Sequence, residues 1–285
     1  MKYFVISDIH SYYNAMIKAL NEAGYDKKNK NHFLIVCGDV FDRGPDPIKV
    51  YKFLKSIPKS RKALIKGNHE FCLQKICDRG FFYKSDLHNK TADTIYYFTL
   101  GMSYMEALEN VFLNRLSRED ADSYKLIQQF KSLPVYEWLN SKEWKYYYEL
   151  GNYIFVHNSI PLKVQYDKWG YILTLGFDKN WRKYDSDIEW DEAVWGCSWK
   201  NYLEGYYSKL GKTLVVGHWH TSDFFKNLSD KVKCNKCEED MDIFYSKEII
   251  GIDACTAITH KCNVLVIDED GKCYNRNREL IIDND

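Results

Sequence analysis

No stretch of this 285-residue chain approaches the roughly 18 consecutive apolar residues of a membrane-spanning helix. Only five apolar residues precede Asp8, too few for the core of a secretion signal. Net charge is also missing. Forty Lys and Arg balance forty Asp and Glu, which leaves no broad basic field for nucleic acid and no pull toward an anionic membrane. There is no long linker, internal repeat or low-complexity tract. These absences predict a cytoplasmic protein with no membrane partner and no stable nucleic-acid binding. Nine cysteines without a secretion signal are expected to be reduced thiols rather than a disulfide framework.

What the chain does have is core-forming material. It is 45% hydrophobic and 16% aromatic, ample for a large buried interior. Short apolar runs recur at 3–7, 32–37, 62–66, 153–157, 213–217, 248–252 and 262–267. Most are β-branched or aromatic and about five or six residues long, which suits buried strands better than helices. Helical patterns separate the first three. Met16, Ile17 and Leu20 share one face of 14–23. In 46–57, Asp46 is expected to cap the helix and Pro47 to fill its first position. A β-α-β-α-β opening makes the sheet at least partly parallel. Residues 80–150 read as an aromatic-rich helical insertion. Residues 176–208 read as loop and helix, and 228–242 as a charged surface loop.

Polar residues follow each strand. Asp8 and His10 follow the first; Asp39, Asp42 and Arg43 the second; Asn68, His69 and Glu70 the third. His157 and Asn158 follow the fourth, His218 and His220 the fifth, and Asp253 the sixth. Sites in open α/β sheets lie at the carboxyl ends of strands, and five of the eight histidines fall there. Each such residue alone is often a turn or cap residue. Six strand ends agreeing in chemistry point instead to a metal pair, because carboxylate, imidazole and amide oxygen suit Mn²⁺, Fe or Zn²⁺. Beside such ions Arg43 becomes a phosphate fork.

Taken together, SDIH (7–10), GDVFDRG (38–44), GNHE (67–70), FVHNS (155–159) and VVGHWHT (215–221) resemble the ordered motifs of calcineurin-like metallophosphoesterases. The likeness is to the phosphoprotein phosphatase branch, which includes bacteriophage-type serine/threonine phosphatases and symmetrical dinucleoside tetraphosphatases. It implies a single α/β domain over 1–285, a two-sheet mixed β-sandwich flanked by helices, with the insertion at about 80–150. It also implies two divalent transition-metal ions, manganese first, with iron or zinc as alternatives. Asp8 and His10 match ligands of the first metal, with His220 expected beside them. Asp39 matches the bridging carboxylate, and Asn68, His157 and His218 match ligands of the second metal. His69 matches the general acid, oriented by Asp42, and Arg43 the phosphate clamp, with Asn68 and His69 also at the phosphate.

The activity so implied is hydrolysis of phosphate monoesters by direct attack of a metal-bridging hydroxide. The substrate would be a phosphorylated protein or a small phosphoester or nucleotide. A dinucleoside polyphosphate hydrolase or phosphodiesterase is the rival. An inert metal-binding module is a third reading, against which the presence of both Asp42 and His69 argues. The chain departs from its relatives twice. Ser11 stands where many have Gly, and Cys197 or Ser198 stands where phage-type relatives carry a second phosphate-binding Arg, a role left to Arg182 or Lys200. Finally, Cys234 and Cys237 could pair with His260 and Cys262 around a structural zinc, or form a solvated reduced loop. Cys255 is expected to be a small buried residue rather than a nucleophile.

Overall fold

In the computed structural model, residues 1–169, 172–228, 241–274 and 280–282 are described. Seven strands form one sheet. Its centre is β1 (Lys2–Ile6), β2 (His32–Cys37) and β3 (Lys62–Ile65), followed by Trp144–Lys145, all parallel. Leu265–Ile267 joins β1 on the other side, antiparallel. A second, five-stranded sheet has Thr213–His220 at its centre, parallel to both Tyr153–Val156 and Ile249–Asp253. The two sheets with their covering helices are the mixed sandwich that the resemblance implies.

Alternation along the strands builds three layers of core. Val5, Ile35, Ile65, Phe155, Val215 and Ile250 point inward and pack between the sheets. Their neighbours Phe4, Ile6, Leu34, Val36 and Leu64 point outward under helices. Ile154, Val156, Leu214 and Val216 do the same on the far sheet. Strands buried on both faces explain why the sequence shows continuous apolar runs rather than alternation. Each fully buried aliphatic side chain here contributes about 1.5–3 kcal/mol.

Eight helices lie on the outer side of the first sheet, and all but the fourth add side chains to its outer core. They are α1 (Tyr13–Glu22), α2 (Pro47–Ser56), α3 (Asn68–Arg79), α4 (Lys84–His88), α5 (Thr91–Leu100), α6 (Tyr104–Phe112), α7 (Ser123–Lys131) and α8 (Pro134–Leu139). The helical insertion therefore ends near residue 139 rather than 150. Trp144–Lys145 and Tyr147–Leu150 are strands, one in each sheet. The run of aromatics that reads as helix-compatible instead fits the pleated surface, where aromatic residues are favoured. Asp46 does not cap α2. Its carboxylate holds Lys49 Nζ at 2.7 Å, and no side-chain cap bond forms.

Residues 176–208 hold helices Asp187–Trp195 and Ser198–Leu203, as the sequence suggests. Cys234 and Cys237 lie outside the described residues. Cys262 is buried beside Thr256, and Cys255 is also buried. Among the described residues no helix is long and apolar enough to cross a membrane.

Candidate functional site

Because β1, β2 and β3 run parallel, and the three strands Tyr153–Val156, Thr213–His220 and Ile249–Asp253 run parallel in the facing sheet, their carboxyl ends share one edge of the sandwich. The turns there bring the polar residues together. Asp8, His10, Asp39, Asp42, Asn68, His69 and His157 are all buried, and His218 is part-buried. Six of these site residues, Asp8, His10, Asp39, Asp42, Arg43 and His218, take left-handed backbone angles, with φ between 48° and 70°. Such a conformation costs about 1–3 kcal/mol for a residue other than glycine. The surrounding fold holds all six in it.

Asp39 is the geometric hub. Its Oδ1 accepts the His69 amide at 3.0 Å and lies 3.5 Å from His157 Nε2. Its Oδ2 lies 3.8 Å from both His10 Nε2 and His69 Nε2. Two groups of ligand-type atoms result, His10–Asp39–His69 and Asp39–His157–His218, each within 4.8 Å of one another. Asp8 accepts the His218 amide at 3.0 Å. Asn68 Oδ1 lies 2.7 Å from His157 Nε2 and 2.9 Å from His218 Nδ1.

This donor set fits divalent cations. His157 gives its Nδ1 proton to the Cys37 carbonyl at 2.8 Å, which leaves a lone pair on Nε2 facing the Asn68 amide oxygen. Two acceptors at that distance repel unless a cation lies between them. Burial, and then the neighbouring Asp253 carboxylate, push the Asp8 carboxyl well up. Burial, with Asp8 and Glu70, does the same to Asp39. Burial and neighbouring histidines push the His10 and His157 imidazoles well down, and His218 down to about 4. Neutral imidazoles beside acids that resist ionisation are what a cluster of ligands looks like without its positive charge.

Around this cluster sit the other expected residues. His69 Nδ1 donates to Asp42 Oδ2 at 2.6 Å. Arg43 spans two rings, with Nη1 at 2.8 Å from His10 Nε2 and Nη2 at 3.0 Å from His69 Nε2. His220 stands at the margin, 38% exposed, with Nε2 4.0 Å from Asp253 Oδ2. Arg182 is occupied elsewhere. It donates to Glu149 and lies over Trp181.

Three supports carry no assigned role in the sequence, although Glu70 and Asp253 stand among its strand-end residues. Glu70 accepts three backbone amides, from Gly67 at 2.7 Å, Asp39 at 2.9 Å and Val40 at 3.0 Å, and so ties the second and third strand ends together. Its position two residues after Asn68 is a signal. Thr94, on α5, bonds Asp42 and had no signal. Asp253 was visible as a strand-end carboxylate, and it is buried against His220.

Two glycines leave room for the carboxylates. A Cβ on Gly67 would lie 2.2 Å from Asp39 Oδ1, and one on Gly217 would lie 2.1 Å from Asp8 Oδ2. Neither has a positive φ. Their requirement is therefore space rather than a left-handed turn.

The chain is similar to known proteins. The chain is 36% identical over 76 residues to an asymmetrical bis(5'-nucleosyl)-tetraphosphatase of Bacillus velezensis, a stretch covering 24% of this chain and 30% of that one. It is 37% identical over 73 residues to a symmetrical bis(5'-nucleosyl)-tetraphosphatase of Buchnera aphidicola, 26% of each chain. The match thus spans under a third of either relative. A solved cold-active protein tyrosine phosphatase shares the fold, with a TM-score of 0.51 at 13% identity, over 98% of this chain and 78% of that one. The family model of calcineurin-like phosphoesterases matches residues 1–222. The chain belongs to the calcineurin-like phosphoesterase family.

Proposed function

We propose that the protein is a metal-dependent phosphoester hydrolase whose site is the strand-end cluster. The observation that carries this reading is the Asn68 amide oxygen facing the ring nitrogens of His157 and His218 beside Asp39. Asp8, His10 and Asp39 would hold one divalent cation, with His220 able to complete the set. Asp39, Asn68, His157 and His218 would hold the second. Such ions supply Lewis acidity, lowering the pKa of a water and drawing charge from phosphoryl oxygens.

The remaining work falls to this chain's own side chains. Arg43 turns its guanidinium from the two imidazoles to two phosphoryl oxygens and orients the group for in-line attack. The water oxygen bonds to phosphorus as the bond to the leaving oxygen breaks. That oxygen takes a proton from His69 Nε2, and Asp42 holds the imidazolium at Nδ1. The phosphoryl group passes directly to water, with no covalent enzyme intermediate.

Phosphate monoesters are the first reading of the substrate. Dinucleoside polyphosphates are the second. They are favoured by the names of the sequence relatives and by a cluster in which, among the described residues, Arg43 is the one guanidinium hydrogen-bonded to the ligand imidazoles, since a polyphosphate carries further groups that contribute binding. The test is a panel of phosphopeptides, dinucleoside polyphosphates and diesters, assayed after exhaustive chelation and again after Mn²⁺ is restored. Turnover that appears only with metal supports the proposal. Full turnover by verified metal-free protein overturns it.

A further inference from the structure

A cavity of about 470 Å³ opens beside the cluster, between Arg43 and the helices α4, α5 and α6. Its walls include Leu87, Asp93, Tyr97, Tyr104 and Met105. That volume lies within the ~300–1,000 Å³ of pockets that hold small organic ligands. It exceeds what a serine or threonine side chain would fill.

The cavity is joined to the site through one residue. Arg43 lines it and also contacts His69 Nε2, the atom assigned to protonate the leaving oxygen. A group carried by that oxygen therefore has this cavity beside it, past Arg43. The same helix that walls it, α5, presents Thr94 to Asp42, so the cavity and the acid dyad share a rigid element.

The wall chemistry selects an occupant. Two tyrosines and a methionine offer faces for a flat ring. Leu87 and Met105, 36% and 68% exposed, leave apolar surface in water that a ring would cover. Asp93 Oδ1 accepts from the Tyr104 amide at 2.9 Å, and Oδ2, with no hydrogen-bond partner among the described residues, can accept from an amine or hydroxyl. We infer that this pocket receives the leaving group of the substrate, and that this leaving group ends in a nucleoside, its base stacked on tyrosine and its N–H or O–H donors read by Asp93. The inference rests on the phosphoesterase reading above and deepens it.

The test uses the full chain with Mn²⁺ and four substrates: diadenosine tetraphosphate, adenosine 5'-monophosphate, 4-nitrophenyl phosphate and phosphoserine. Tyr97→Leu and the pocket-filling Met105→Trp should lower kcat/KM for the two nucleotides at least tenfold, chiefly through KM. Phosphoserine turnover should stay within twofold, which also shows that the variants fold. Adenosine binding, measured by calorimetry in chelator, should be seen in the wild type and lost in Met105→Trp. Equal losses on all substrates would overturn the inference. So would no adenosine binding by a wild type that hydrolyses phosphoserine. Variants that impair 4-nitrophenyl phosphate as much as the nucleotides, with no adenosine binding, would reduce the pocket to an aryl site and overturn the nucleoside assignment. A wild type inactive on all four substrates would overturn the phosphoesterase reading itself.

Discussion

Thr94 and Asp42 exchange two hydrogen bonds. The Thr94 hydroxyl donates to Asp42 Oδ1, and the Asp42 amide donates back to the same hydroxyl at 3.1 Å. The partners are 52 residues apart, one on the insertion and one on the loop after β2. Asp42 Oδ2 remains for His69, so Thr94 fixes the carboxylate that orients the imidazole. Thr94→Val keeps the shape and removes both bonds. It should cut kcat roughly tenfold for alkyl phosphates, whose leaving oxygen needs a proton, and change 4-nitrophenyl phosphate little. Thr94→Ser should restore most of the loss. A uniform drop across leaving groups would point to a merely structural role.

Asp39 contributes an oxygen to both ligand groups, whereas His69 is assigned to proton transfer. Asp39→Asn should therefore empty the site of metal, while His69→Asn should retain it and lose turnover by about 10²–10⁴-fold. Elemental analysis of the two purified variants decides this. Equal metal loss in both would show that the roles are wrongly divided.

Glu70 holds three amides with two oxygens. In Glu70→Gln, one amide nitrogen must face a backbone N–H, most simply that of Val40. A buried donor left unmatched costs about 1–3 kcal/mol. Thermal unfolding should show the loss. Titration with Mn²⁺ should show weaker binding, because the backbone at Val40, next to Asp39, loses its tether.

Away from the site, Lys62 and Glu143 form an ion pair at 2.6 Å, with side chains 1% and 6% exposed. Lys62 also donates to the carbonyls of Leu54 and Ile57. Burial pulls the Lys62 ammonium down despite this pairing. Burial also pushes the Glu143 carboxyl up, but bonds from Lys62, Trp138 and Lys59 outweigh it and leave Glu143 below its usual value. Lys62→Met should cost about 3–5 kcal/mol near pH 7, since it leaves the buried Glu143 carboxylate only Trp138 and the exposed Lys59 and unpairs two carbonyls. A carboxyl with a lowered folded-state pKa contributes stability above its unfolded value, and that contribution fades as pH falls. The gap between wild type and variant should therefore narrow in acid, as Glu143 protonates. Denaturant midpoints at pH 7 and pH 4 measure it.

Much of the site was legible because its residues sit where apolar strands stop. Asp8, Asp39, Asn68, His157 and His218 each stand at the end of a short apolar run that suits a buried strand better than a helix, and parallel strands deliver their ends to one place. Thr94 and the cavity beside Arg43 were not legible. They come from helices whose pattern reports only which face meets the core, and nothing in that pattern says which loop a threonine will meet. Residues 144–150 misled for a related reason. A tyrosine-rich stretch carries little periodicity, and its partners in the two sheets are distant in sequence.

The close approach of a carboxylate to Gly67 and to Gly217 bears on how such a protein could decay. A methyl group at either position would collide with a carboxylate oxygen while altering no donor atom. A descendant carrying alanine there would still display every aspartate, histidine and asparagine of the motifs. Inspection of those residues alone would class it as intact, although the carboxylates had been pushed from their places. In this lineage, inherited competence is recorded as much in two absent side chains as in the ones that are present.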